Sequence, residues 1–373
     1  MGELYRYRER GVTSLIVVLF STLLFVVVAV GFMQLMTAEQ RASADNELSR
    51  GAYDSALSGV EDGKRVLKSC MDGAIDCTVM QSCTSVIDAG LVTPKDGEVY
   101  LKSSSSSGVG LAGQDYEQAY TCVKIERDTK DYVKNVSDDS SVLIPLRTVA
   151  PVDTIDVSWF ARSNSTSDTV DLDLPTDPLS TNLKAKSDWN PTRPPILRVQ
   201  LMQYKGGNLD LSSLDNANGH TLYLYPKRDG SSASDFSLDA RRSGTAFTPT
   251  RIKCAPAFLS TYACTASIAL PNLVGGPASN GMIAFLRITP IYNNAEISVM
   301  PRKGVAPVLF HDLQPSIDST GRAGDVFRRV EARVEIDDPG VAYPRATVDV
   351  TNNLCKVFSV TDSVDLYDAG ICN

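Results

Sequence analysis

The chain is 373 residues long, with 36 Lys+Arg against 44 Asp+Glu, two His, eight Cys and a formal net charge of −8. At 43% hydrophobic and 21% charged residues it has the composition of a folded protein of one to three domains, which excludes the disordered class. Its acidity argues against nucleic acid as a partner, because phosphate binding needs a basic face, and two histidines are too few for a multi-histidine metal centre.

The first predicted element is a membrane span. No ionisable side chain occurs between Arg10 and Glu39, a gap of 28 residues, and Val12 to Met36 is almost wholly apolar. Ser14, Ser21, Thr22 and Gln34 are the mild exceptions. As a helix, about 25 residues reach roughly 37 Å, enough to cross a bilayer core with some tilt. A signal-peptide core of about 7–15 apolar residues would be shorter, and no Ala-x-Ala pattern follows this run. Arg6, Arg8 and Arg10, offset by Glu3 and Glu9, give the leader a charge of +1 and leave −9 for the remainder. The positive flank predicts a cytoplasmic N-terminus, a single pass through the cytoplasmic membrane and export of everything beyond Glu39.

The helical pattern continues past the span. No proline precedes Pro94, and small or apolar residues recur at Ala38, Ala42, Leu48, Ala52, Ala56, Val60 and Leu67, mostly three or four apart. Glu39, Arg41, Asp45, Glu47, Arg50, Asp54, Glu61, Lys64 and Arg65 fill the other face. The expectation is one rod of roughly 55 residues and 80–85 Å, apolar first and amphipathic after. Gly51, Gly59 and Gly63 each cost such a helix about 1 kcal/mol relative to Ala, so they mark bending or close packing.

All eight cysteines, Cys70, Cys77, Cys83, Cys122, Cys254, Cys264, Cys355 and Cys372, lie beyond the span. An even number in an exported region predicts disulfides, and the absence of any Cys-x-x-Cys argues against zinc. Cys254 with Cys264 and Cys355 with Cys372 are the natural local pairs, leaving the first four to pair among themselves.

The basic leader ending in Arg8-Glu9-Arg10-Gly11, the unbroken apolar helix behind it and its amphipathic continuation to about residue 68 together resemble a type IV pilin precursor. Within that family, the stretch Arg10 to Phe20 and the segment Ala52 to Arg65 resemble PilX-type minor pilins and the larger tip pseudopilins. The resemblance covers under a fifth of the chain. It implies that a prepilin peptidase cuts between Gly11 and Val12, that Val12 is then N-methylated, and that the partners are other pilin subunits. Most pilins carry a glutamate five residues after the cut, where this chain has Ile16. A buried carboxylate is favourable only opposite a cationic partner. A subunit lacking it resembles those at a filament tip, with no subunit ahead to engage.

Beyond about Ser69 the chain reads as strands. Candidates are Tyr120–Glu126, Val142–Leu146, Ile155–Phe160, Ile196–Gln203, Thr221–Tyr225, Ala263–Leu270, Met282–Ile288, Ile297–Met300, Val326–Ile336 and Ala346–Val350. In 326–336 the apolar residues Val326, Val330, Ala332, Val334 and Ile336 oppose Arg329, Glu331, Arg333 and Glu335, the period-2 signature of a half-buried antiparallel strand. The fold class is therefore α+β. The expected domains are a leader (1–11), a transmembrane and amphipathic helix (12–68), a Cys-containing connector (69–140) and a β-sandwich (141–373), for which a jelly roll is one fitting topology.

The chemistry is sparse. His220 sits in a turn-like Asn-Gly-His context, read as an exposed loop, and His311 at a strand end; no Gly-x-Ser-x-Gly motif, Walker loop or dinucleotide fingerprint is present. A non-enzymatic protein without cofactor or resident metal is expected. Asp168, Asp171, Asp173 and Asp177, and the run Asp215 to Gly219, are the two places where calcium could find oxygen ligands, although solvated loops use the same residues. Trp159 is expected in the core, whereas Trp189, with Tyr223 and Tyr225, is the candidate for a sugar-stacking surface. Two function classes remain. One is a pilus-like filament subunit displaying a β-domain for adhesion or assembly. The other is a single-pass surface protein whose sandwich binds a sugar or protein ligand of a host or neighbouring cell.

Overall fold

The computed structural model describes residues 6–102, 115–138, 140–173, 186–205, 219–236, 249–276 and 281–335, with side chains from residue 14 except at 102, 115–117 and 219. It is α+β: one long, apolar N-terminal helix followed by mostly antiparallel and partly mixed β-sheets.

Helix α1 runs from Arg6 to Met71, 66 residues or about 99 Å, longer than the sequence pattern predicts at both ends. Its last five turns are amphipathic and buried on one face, with Ala52, Ser55, Ala56 and Val66 fully inaccessible and Val60, Leu67 and Cys70 nearly so. They lie on a four-stranded sheet in the order β1 (Val99–Lys102), β2 (Asp115–Thr129), β14 (Phe310–Ala323) and β15 (Val326–Arg333), every pairing antiparallel. A 3₁₀ turn at Cys77–Gln81 and a short helix α2, Ser85–Asp88, close the end of this unit. Asp76 caps the turn by accepting from the Thr78 amide at 3.0 Å, which holds its carboxyl below the usual range.

The segment read as a connector, 69–140, thus supplies two strands of a sheet, and 326–335, read as part of a sandwich, completes the same sheet. The alternation in β15 is present, but the apolar face meets a helix: Val330, Ala332 and Val334 pack into the core formed by Val60, Val66, Leu67, Tyr120, Val123, Ile125 and Ile317. The pattern that marks a half-buried strand does not say what buries it.

Between β2 and β14 the chain makes a large insert with its own core. One sheet has the order β13 (Ala306–Pro307), β12 (Ala295–Lys303), β5 (Val152–Ala161), β10 (Tyr262–Val274), β8 (Ala233–Asp235), with β3 (Tyr132–Val136) also paired to β12. The second has the order β4 (Val142–Pro145), β11 (Met282–Ile291), β6 (Ile196–Lys205), β7 (Gly219–Lys227), β9 (Thr250–Lys253). Two pairings, β8 with β10 and β7 with β9, are parallel; the rest are antiparallel. Alternate residues of both sheets, among them Val157, Trp159, Leu197, Val199, Leu201, Leu286, Ile288, Ile297 and Val299, form one shared apolar cluster. The Cys254–Cys264 disulfide joins the end of β9 to β10 and so ties one sheet to the other.

Two further disulfides, Cys70–Cys77 and Cys83–Cys122, stand at the end of α1. Cys355, Cys372 and the expected strand 346–350 lie outside the described residues.

Candidate assembly interface

The two halves of α1 differ in what surrounds them. In the packed half, Gly51, Gly59 and Gly63 face the sheet at four- and eight-residue spacing. A methyl group added at Gly51 would sit 2.7 Å from Nε2 of Gln118. At Gly59 it would meet Ser319 Oγ, and Val123 at 3.0 Å; at Gly63 it would lie 2.7 Å from Ile317 Cγ2. From the other side, a Cβ at Gly321 of β14 would strike the main chain of Ala52 and Ala56. The helix therefore rides closer to the sheet than larger side chains permit, and this accounts for the three glycines of its packed half. Polar contacts frame the seam: Tyr120 donates to Asp62 at 2.6 Å, and Arg328 Nε donates to Ser49 Oγ at 2.9 Å. Arg322 Nε bonds Glu98 at 3.1 Å and its Nη2 reaches Tyr100. Burial, then the Asp62 contact, pushes the Tyr120 hydroxyl up, and the Arg322 hydrogen bond holds the Glu98 carboxyl down.

The other half, from Ser14 to Glu47, stands clear of the sheets and is exposed throughout. Leu15 through Met36 includes seventeen large apolar side chains, of which even the least exposed, Ile16, is 47% accessible. Within this stretch Ser21 Oγ donates to the Val17 carbonyl (2.8 Å), Thr22 to Leu19 (2.9 Å) and Thr37 to Met33 (2.7 Å). These hydroxyls are satisfied inside the helix, as a lipid-facing surface requires. The helix is long and apolar enough to cross a membrane, as an anchor or a signal sequence would. Gly11 and Val12 fall inside α1, with side chains outside the described set.

The structure relocates several candidates. Trp189 is 4% exposed, stacked on Tyr292 at 4.4 Å and covered by the Arg193 guanidinium at 5.3 Å. The open aromatic platform expected of Trp189 with Tyr223 and Tyr225 is corrected: the indole fills a small core with Ile196 and Tyr225, against which Tyr223 packs, while Asp188 and Asn190 face outward. Trp159 is fully buried and donates to the Pro195 carbonyl at 3.1 Å. His220, read as an exposed loop residue, lies in β7, half-buried and tilted against Phe236. His311 lies near the start of β14, its Nδ1 2.7 Å from Asp128 and its Nε2 3.3 Å from Asp312.

Of the calcium candidates, Asp171 pairs with Arg193 at 2.6 Å and Asp168 with Arg162 at 2.6 Å, so arginines take the place of a cation. Asp177 and 215–218 lie outside the described residues. Among the described residues no group of three or more His, Cys, Asp or Glu is placed to hold a metal.

No protein-family profile, curated protein or solved structure matches the chain.

Proposed function

We propose that the chain is a minor subunit of a type IV pilus or pilus-like filament, with its two-sheet insert displayed at the surface or tip for adhesion or assembly. The observation that carries this reading is the division of one unbroken helix. Its second half is bound into the protein's own sheet, and its first half is bare from Ser14 to Glu47 and apolar over about 25 residues, to Met36. A simple anchor needs about 20 apolar residues, and such a span need not pass without a break into the core of the exported domain. Packing among neighbouring pilin helices would cover the bare half once it leaves the bilayer.

In this reading the prepilin peptidase cuts Gly11–Val12, the subunit waits in the cytoplasmic membrane with its N-terminus inside, and Ile16 suits a place at the tip. The insert is taken as a β-sandwich, its two sheets sharing one core with their outer faces free for a ligand. The protein works by binding and assembly, without cofactor or catalysis. The second reading, a single-pass surface protein, draws on the insert having a core of its own.

Mass spectrometry of the mature N-terminus, on protein from sheared surface filaments and from membranes, separates the two. A chain beginning at methylated Val12 and enriched in filaments is expected. An intact Met1 confined to membranes would overturn the filament reading and leave the anchored one.

A further inference from the structure

We propose that the Cys70–Cys77 and Cys83–Cys122 disulfides act in series as a tension-bearing staple between α1 and the sheet that carries the insert. The inference rests on α1 being the anchored end, which both readings of function share.

The argument begins with direction. Gly51 of α1 lies against Gln118 of β2, and Gly63 against Val123, so helix and strand advance the same way. The insert leaves β2 after Thr129 and returns through Phe310, paired with Thr129, and therefore sits at the end opposite the bare half of α1. A pull between insert and anchor draws β2 and β14 along the helix. That sliding is opposed by the glycine seam, which is close-fitting but not covalent.

The covalent route is different. Along the chain, Cys70 in the last turn of α1 and Cys122 in β2 are 52 residues apart. The first bridge carries the route from Cys70 to Cys77 and the second from Cys83 to Cys122, leaving only the six steps from Cys77 to Cys83. Those six steps span about 20 Å when fully extended, against about 180 Å for the whole stretch. The short link is also pinned to β2: Val123 N donates to the Cys83 carbonyl at 2.9 Å, and Ser85 Oγ donates to the Val123 carbonyl. If the helix slips, the staple draws taut before the sheet has moved far, and the stretch between Cys83 and Cys122, β1 included, stays outside the force path.

The test is single-molecule pulling of the full-length chain in detergent micelles. One handle is at the N-terminus and the other on an azide-bearing phenylalanine analogue in place of Leu259, which is 87% exposed. In the wild type, separation of helix from sheet should lengthen the tether by no more than about 20–30 Å. In the double variant Cys83→Ala with Cys122→Ala, the same event should gain the 39 residues otherwise bypassed, about 130–140 Å. If that variant fails to fold, reductant added to a wild-type tether under load should produce two separate steps, of 39 and 7 residues. A long step in oxidised wild type, or no gain on opening the bridges, overturns the staple. Neither result touches the filament reading, and an uncleaved N-terminus would remove the filament while leaving the staple in place.

Discussion

At the residue scale, Gly321 is tightly constrained, because the space of its missing side chain is taken by the backbone of α1 rather than by a movable group. Gly321→Ala should lower the stability of the helix–sheet unit by about 1–3 kcal/mol through overpacking, read from the denaturant midpoint. Gly31, where an added methyl group would meet nothing within 4 Å, should tolerate Ala without loss. Glu98 provides a pH dependence. Its carboxyl is held down by Arg322, so its stabilising effect is complete above the unfolded value of about 4.3 and fades as pH falls through the lower folded value. Glu98→Gln should therefore lose stability near neutrality and show a shallower acid limb than the wild type, measured by unfolding at pH 7 and pH 3. Trp189→Ala should cost about 3–5 kcal/mol as a cavity in the small aromatic core. Weakened ligand binding with unchanged stability would contradict its burial.

At the scale of elements, what the sequence makes legible and what it conceals have one cause. The apolar run, the amphipathic continuation and the alternation of β15 are readable because each buries large residues against polar ones at a fixed period. Strand β14 is not, although it is the spine joining both cores, with Phe310 and Leu313 in one and Ile317 in the other. Its buried face beside the helix includes Ser319, Gly321 and Ala323, small because Gly59, the Ala52–Ala56 backbone and Gly51 press against them in turn, and Pro315 interrupts its pattern. Close packing of this kind removes the hydrophobic signal it depends on. On the β14 side the seam leaves little trace, and the three glycines of α1 are the sequence's sign of how close it is. Burial of Trp189 is likewise hidden, since its covering partners Tyr292 and Arg193 are distant or polar in sequence. The Cys83–Cys122 bridge closes a 39-residue separation, and in the chain-entropy view its loss should cost about 4 kcal/mol, testable by comparing thermal midpoints with and without the pair.

At the scale of the whole molecule, the insert is a guest in the helix–sheet unit. The helix–sheet core contains no residue from 130–309 among the described residues, and Thr129 and Phe310 are directly paired. Replacing 130–309 by Asn-Gly should therefore leave a soluble helix–sheet unit in detergent, with near-native helical circular dichroism and both staple disulfides formed. Aggregation of that variant would show that the two cores depend on each other. The unbroken α1 has a geometric consequence of its own. A straight helix couples advance to rotation, about 1.5 Å and 100° per residue. Inserting one residue between Thr37 and Glu47 would swing the insert by a quarter-turn or more about the filament or membrane normal, while raising it almost not at all. Inserting seven would lift it by about 10 Å and bring its bearing back to within about 20°. The bare stretch thus sets the compass heading of the insert as well as its height, and under either proposed function a partner that recognises one heading would tolerate changes in the length of this helix only in multiples near a whole turn.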